Sequence, residues 1–313
     1  MAIESKEEAL AFVEANRLML EGKTGFKHFA NKLHELERFI NNFADEPSSS
    51  EKLAGSWSTT QNKQVSSFGE SPTTPYTDSF ITDNKRLEFL KSTMMGPNAL
   101  RLTEELTSHL EITKHMNVLD LGCGQGLSTL LLAKKYEVTV VAADLWIDPT
   151  ENYERFCEYG IENKAFPLSV DVTKGLPFAR QCFDILLSVD AYHYFGTSPD
   201  ALRSLCSYVK KDGYIAVAIP GLKHEFAEKV PAEMQPFWNE DMAQSLHSLS
   251  WWEKLWSQEK SVELITCIEM TSHKQAWDEW LTGNHPVVAD DIEMMKAEGG
   301  NYFNTIQLIA KVC

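Results

Sequence analysis

No two of the six cysteines, at 123, 157, 182, 206, 267 and 313, are spaced CxxC. Structural zinc and a secreted disulfide framework are therefore poor readings, and free thiols in a reducing compartment fit better. The nine histidines form no HExxH and no tight cluster, so no metal site is expected. Positive charge is also scarce: 29 Lys and Arg stand against 45 Asp and Glu, a formal net charge of -16. Phosphate backbones need clustered cations, and only short pairs such as Lys134-Lys135 and Lys210-Lys211 are present. Nucleic acid and anionic membrane surfaces are disfavoured partners. No apolar run approaches the roughly 18 residues that span a bilayer. The charged start "MAIESKEEAL" has no apolar signal core behind it. A cytoplasmic protein is expected.

The 313 residues, 43% of them hydrophobic, suffice for one large α/β domain with an appendage, or for two modest domains. Residues 1–46 read as a helical segment. There Phe26, Phe29, Leu33, Leu36, Ile40 and Phe43 recur at alternating spacings of three and four. This stripe suits a hairpin packing on its own domain, or an arm that forms a homodimer. Residues 47–79 hold fourteen Ser or Thr and read as a linker or cover segment. From residue 80 to 313 helices and apolar runs alternate, the pattern of a parallel sheet covered on both faces. Apolar runs at 117–122, 138–144, 165–171, 183–190, 214–221, 262–270 and 302–312 are the expected strands. Aromatic-rich inserts at about 222–260 and 272–300 break the rhythm and carry six of the eight tryptophans.

The stretch "VLDLGCGQG" places Gly122, Gly124 and Gly126 at the end of the first strand. Open α/β sheets bind ligands at the carboxyl ends of their strands, and glycine lets backbone approach a ligand closely. A dinucleotide fingerprint, GxGxxG, would need glycine at 127, where the chain has Leu127. Acids then recur at the same end of successive strands. Asp120 precedes the turn, Asp144 ends the second strand, Asp171 the third and Asp190 the fourth. A carboxylate at Asp144 can take the ribose hydroxyls of a nucleoside, and one at Asp171 can meet an adenine amino group. Each acid could also be a strand-end turn residue or a helix cap. Together they surround one crevice.

The arrangement resembles the class I S-adenosylmethionine-dependent methyltransferases, nearest to the small-molecule branch that includes quinone, sterol and phosphoethanolamine enzymes. The motifs cover about residues 94–221, and the first 75 residues fall outside them. The resemblance implies a doubly wound Rossmann-like sheet, mostly parallel, of seven strands with the last antiparallel. It implies that Gly122, Cys123, Gly124 and Gly126 back the methionine part of S-adenosylmethionine. Asp144 with Leu145 would hold the ribose, and Asp171 with Val172 the adenine. The turn "MMGPN", with Gly96, would close over the cofactor's amino-acid end. An acidic, aromatic crevice suits a sulfonium cation better than it suits phosphates.

The acceptor is expected to be a small molecule. The inserts follow the fifth and sixth strands, so Trp252 could belong to an apolar lid or to a satellite core. His224, in "PGLKHEF", follows the fifth strand directly. In "SVDAYHYFG", Tyr192 and His193 lie just past the fourth strand. His193 could be a general base, a wall of the crevice or a structural residue. No DPPY-like or NPPY-like tetrapeptide follows that strand, which speaks against methylation of nucleic-acid bases. Two function classes remain: an enzyme transferring the methyl group, or a sensor that binds the same cofactor without catalysis.

Overall fold

The computed structural model describes residues 75–226, 229–283 and 288–313. The expected N-terminal helices, any dimer built on them, and the Ser/Thr-rich segment as far as 74 lie outside the described residues. Description begins with a helix where linker was expected. Two helices, α1 (Tyr76–Ile81) and α2 (Asn84–Thr93), lead into α3 (Ala99–Thr107). The Glu104 carboxylate of α3 accepts the first backbone N–H groups of α1, from Tyr76 at 2.7 Å and Thr77 at 2.9 Å. Those two donors have no partner inside their own helix, so a carboxylate from a neighbouring helix satisfies them.

Seven strands form one sheet: β1 (Asn117–Leu121), β2 (Thr139–Asp144), β3 (Ala165–Ser169), β4 (Phe183–Val189), β5 (Val209–Leu222), β6 (Val262–Glu269) and β7 (Phe303–Val312). Their order is β3-β2-β1-β4-β5-β7-β6. Pairs among β1 to β5 are parallel, and β7 runs antiparallel to both β5 and β6. The doubly wound sheet expected from the sequence is therefore present. The central strands are buried on both faces, which is why they read as continuous apolar runs. The order switches between β1 and β4, and this opens a crevice at their carboxyl ends.

On one face α3 packs with α4 (Leu127–Leu131), α5 (Pro149–Glu158) and α9 (His273–Leu281). On the other lie α6 (Pro199–Cys206) and α8 (Leu249–Ser257), with the short α7 (Glu240–Ser245) before α8. Helix α10 (Val288–Glu298) follows α9. The two aromatic inserts thus serve opposite faces of the sheet. Trp252 and Trp256 of α8 are 0% exposed in the core against β5 and β7, and Trp280 of α9 is 0% exposed beside α4. Helix α8 is the crossover between β5 and β6, so its apolar face covers the sheet. It is no lid.

Candidate active site

The turn after β1 is built around short backbone contacts. Gly122 N donates to Ala143 O at 2.8 Å, and Gly126 N donates to Cys123 O at 2.9 Å. Gly122 has φ of 74°, and a β-carbon added there would fall 2.2 Å from Ala191 Cβ. Only glycine satisfies both the left-handed backbone and that approach. Gly122→Ala is expected to cost about 2–3 kcal/mol in urea unfolding, the sum of the backbone penalty and overpacking. Asp120 anchors the turn from below. It is 0% exposed and accepts hydrogen bonds from Ser128 Oγ at 2.7 Å and Thr129 Oγ1 at 2.6 Å, both in the first turn of α4. Burial pushes its carboxyl up to about 6, against the pull of these two hydroxyls.

Asp144 ends β2 with both oxygens fixed by backbone. Oδ2 accepts from Gly124 N at 2.8 Å; Oδ1 accepts from Trp146 N at 2.8 Å and Ile147 N at 3.0 Å. The carboxylate therefore locks the glycine turn to the loop after β2. Helix α5 closes the far side, where Asn152 Nδ2 donates to Gly124 O at 2.9 Å. Asp171 caps the short turn Val172–Lys174, and hydrogen bonds from the Thr173 hydroxyl and Lys174 hold its carboxyl below the usual range.

These segments enclose a crevice of about 260 Å³. Of the residues singled out in the sequence, Gly96, Gly122, Cys123, Gly124, Asp144, Leu145, Asp171, Val172 and Asp190 all line it. Asp120 and Gly126 do not. Each supports the turn from behind, Gly126 as the N-cap of α4 with φ of 89°. Burial raises the Cys123 thiol well above its ordinary range, so it serves as wall and not as nucleophile.

The residues expected on the acceptor side are placed differently. Tyr192, His193 and Tyr194 form a single 3₁₀ turn after β4. With three residues per turn they point in three directions. Tyr192 is 0% exposed and packs edge-on against Trp256 at 5.6 Å, inside the core. His193 is also buried, its Nδ1 has no hydrogen-bond partner, and its ring does not line the crevice. Tyr194 is the one that faces the opening. Trp252 is sealed in the core, and His224 is exposed on the turn after β5, away from the crevice lining. The substrate roles expected for Tyr192, His224 and Trp252 thus have no geometric support.

Burial lowers the His193 imidazole to about 3, so the buried ring is neutral. The unfolded chain takes up this proton near 6.5, so the stability supplied by neutral His193 is present above 6.5 and lost as pH falls toward 3. Relative to His193→Leu, the wild-type protein is expected to lose about 2 kcal/mol between pH 7.5 and pH 5, read by urea titrations. Equal pH profiles for the two proteins would show that this ring is solvated and free to act as a base.

Of the rim, sequence reasoning singled out Leu145 and missed the rest. Met95, Leu145, Trp146 and Tyr194 are four of the six large apolar side chains exposed among the described residues, and all four line the crevice. The Trp146 and Tyr194 rings meet edge to face at 5.6 Å. A tryptophan two residues beyond the β2 acid was the available signal. Asp291, on α10, is electrostatically coupled to both Asp190 and Tyr194, though 100 residues separate it from Asp190 in the chain.

A seven-stranded sheet of this order, with a glycine turn after β1 and a carboxylate ending β2, defines the class I S-adenosylmethionine-dependent methyltransferase architecture. A family model described as a methyltransferase domain matches residues 112–284, and the chain belongs to that family. Among curated proteins, methyltransferase GfsG of Streptomyces halstedii is 25% identical over 152 residues, covering 48% of this chain and 54% of that protein. Phosphoethanolamine N-methyltransferase of Triticum aestivum is 29% identical over 128 residues, covering 40% of this chain and 24% of that one. The chain spans about half or less of the length of these relatives. Among solved structures, geranyl diphosphate C-methyltransferase from Streptomyces coelicolor A3(2) has a TM-score of 0.57 at 15% identity, covering 78% of this chain and 88% of that one. The [4+2]-cyclase SpnF has a TM-score of 0.57 at 14% identity, over 76% of this chain and 95% of that one. Likeness at this level carries the fold alone.

Proposed function

We propose that this chain transfers the methyl group of S-adenosylmethionine to a small-molecule acceptor. The observation that carries the reading is Asp144, which faces the crevice at the end of β2 while fixing the glycine turn opposite. The donor set fits the cofactor. Gly122 and Gly124 line the crevice with bare backbone in the left-handed region, beside the place of the methionine part. Asp144 with Leu145 would hold the ribose, Asp171 with Val172 the adenine, and Gly96 with Asp190 would close the transfer end. Three carboxylates line the crevice, and no Lys, Arg or His does so among the described residues. Such a lining favours a cation.

When bound, S-adenosylmethionine supplies a methyl group already activated by its sulfonium sulfur. The protein's part is to bind, align and exclude water, which brings reacting atoms to about 3–3.5 Å. A cytoplasmic setting belongs to the same proposal and is supported by six unpaired thiols. Calorimetry with S-adenosylmethionine and S-adenosylhomocysteine tests the cofactor, and absence of binding by both would refute it. Labelled-methyl transfer into a fractionated metabolite extract then tests the reaction. Binding without transfer would favour a sensor of the cofactor over an enzyme.

A further inference from the structure

Resting on that cofactor reading, we propose that the acceptor presents an amine, held as its cation at the end of the crevice lined by Asp190, Trp146 and Tyr194. Three observations converge on it. The first is an uncompensated carboxylate. Asp144 and Asp171 are engaged by backbone N–H groups or by Thr173 and Lys174, whereas the Asp190 side chain lines the crevice with no hydrogen-bond or ion-pair partner among the described residues. It rests against Gly96, where an added β-carbon would fall 2.5 Å from Asp190 Oδ2. Its own backbone is held left-handed, at φ of 56°. A non-glycine residue adopts that conformation at a cost, and such costs cluster at sites that aim a side chain.

The second observation is a like charge. Asp291 of α10, outside the crevice lining, is electrostatically coupled to Asp190 and Tyr194, and its Oδ2 accepts the indole N–H of buried Trp280 at 2.7 Å. Burial pushes the Asp190 carboxyl up to about 7, and Asp291 adds to the rise. Tyr194 is raised as well, by burial and then by both acids. Asp190 lines the crevice and Asp291 does not, and a carboxylate coupled to a like charge gains from a cation placed beside it. The third observation is the exposed ring pair. Trp146 is 68% and Tyr194 60% exposed at the rim, an arrangement that offers π faces to an ammonium group.

A phosphate-bearing acceptor, of the kind named for the geranyl diphosphate and phosphoethanolamine enzymes, would meet carboxylates here and no cationic side chain among the described lining residues. Asp190 also suits the step an amine requires. The N–H bond of the ammonium breaks, its electron pair stays on nitrogen, and the proton passes to the carboxylate.

The test uses the full chain saturated with S-adenosylhomocysteine, whose binding is measured first and reports on the cofactor reading by itself. That ligand carries the cofactor's own ammonium, so any further selectivity belongs to the acceptor end. The probes are 2-phenylethylamine, the neutral 2-phenylethanol, and phosphoethanolamine, titrated by tryptophan fluorescence and calorimetry. The amine is expected to bind at least tenfold tighter than the alcohol, and phosphoethanolamine more weakly than the amine. Asp291→Asn keeps an acceptor for Trp280 and is expected to lower amine affinity about tenfold while leaving the alcohol unchanged. Trp146→Ala is expected to lower amine affinity also. An amine that fails to bind, an alcohol that binds equally well, or a preference for phosphoethanolamine would each overturn the proposal.

Discussion

Asp144→Ala is expected to weaken S-adenosylmethionine binding at least a hundredfold, measured by calorimetry against the wild-type protein. The carboxylate has about four acceptor directions, of which three are taken by Gly124, Trp146 and Ile147 N–H groups. The remaining direction, on Oδ2, is what a ribose hydroxyl would use. A hydrogen bond to a charged acceptor contributes about 1.5–3 kcal/mol, close to a hundredfold at the upper end. The alanine variant also releases three backbone donors at once. The glycine turn and the Leu145–Trp146 loop then lose their shared anchor, and ordering them again on binding costs further affinity. Asp144→Asn separates the two effects. Its one remaining oxygen can serve Trp146 and Ile147, but the amide nitrogen would face Gly124 N–H, donor against donor. Its binding is expected to fall between wild type and the alanine variant. An Asp144→Ala protein that binds within threefold of wild type would remove this residue from the site.

How much of this could be read beforehand follows from the range of each interaction. Strands and the glycine turn are local: apolar runs of strand length, a GxGxG at one end and acids at the next strand ends are all visible within short windows. That is why Asp144, Asp171 and Asp190 were legible. The acceptor end was not, because a 3₁₀ turn decides it. In "DAYHY" three successive aromatic rings are equally plausible as crevice residues, and only the turn sends Tyr192 and His193 inward and Tyr194 out. Trp252 and Trp256 were ambiguous for a related reason. Spacing of four marks one helical face, yet it cannot tell a face that covers a ligand from one that covers the sheet. Helix α1 was hidden by polarity: its Thr, Asp and Ser residues read as linker, while Phe80 carries the burial. Asp291 and Glu279 act on residues about 100 and 178 positions away, and no local pattern announces such contacts.

Glu279 is the site of the largest expected loss of stability. Its carboxylate, on α9, takes Arg101 Nε at 2.7 Å and Nη2 at 2.5 Å, and accepts Asn98 Nδ2 at 2.6 Å. Arg101 is 8% exposed and sends its other arm to Asp78 of α1 at 2.8 Å. The cluster ties α1, α3 and α9 together at the base of the Met94–Asn98 turn, whose Asn98 N donates to Ala276 O at 3.0 Å. Glu279→Ala leaves a buried guanidinium with half its partners. Breaking a buried pair costs about 3–5 kcal/mol, and because Asp78 keeps one arm the expected loss is about 3–4 kcal/mol. For a domain of this size that lowers the melting temperature by roughly 8–12 °C. Cofactor affinity is expected to fall with it, since Gly96 lies in the turn that the cluster holds. Removing both charges should be far milder than removing one. In Arg101→Met/Glu279→Leu no buried charge is stranded, and apolar replacements of similar volume often match a buried pair. A double-mutant cycle that finds the two single losses additive would show that the cluster is solvated and does not hold the turn. A strongly non-additive cycle, with cofactor affinity recovering alongside stability, would show that the turn over the crevice needs a packed base and not the charges themselves.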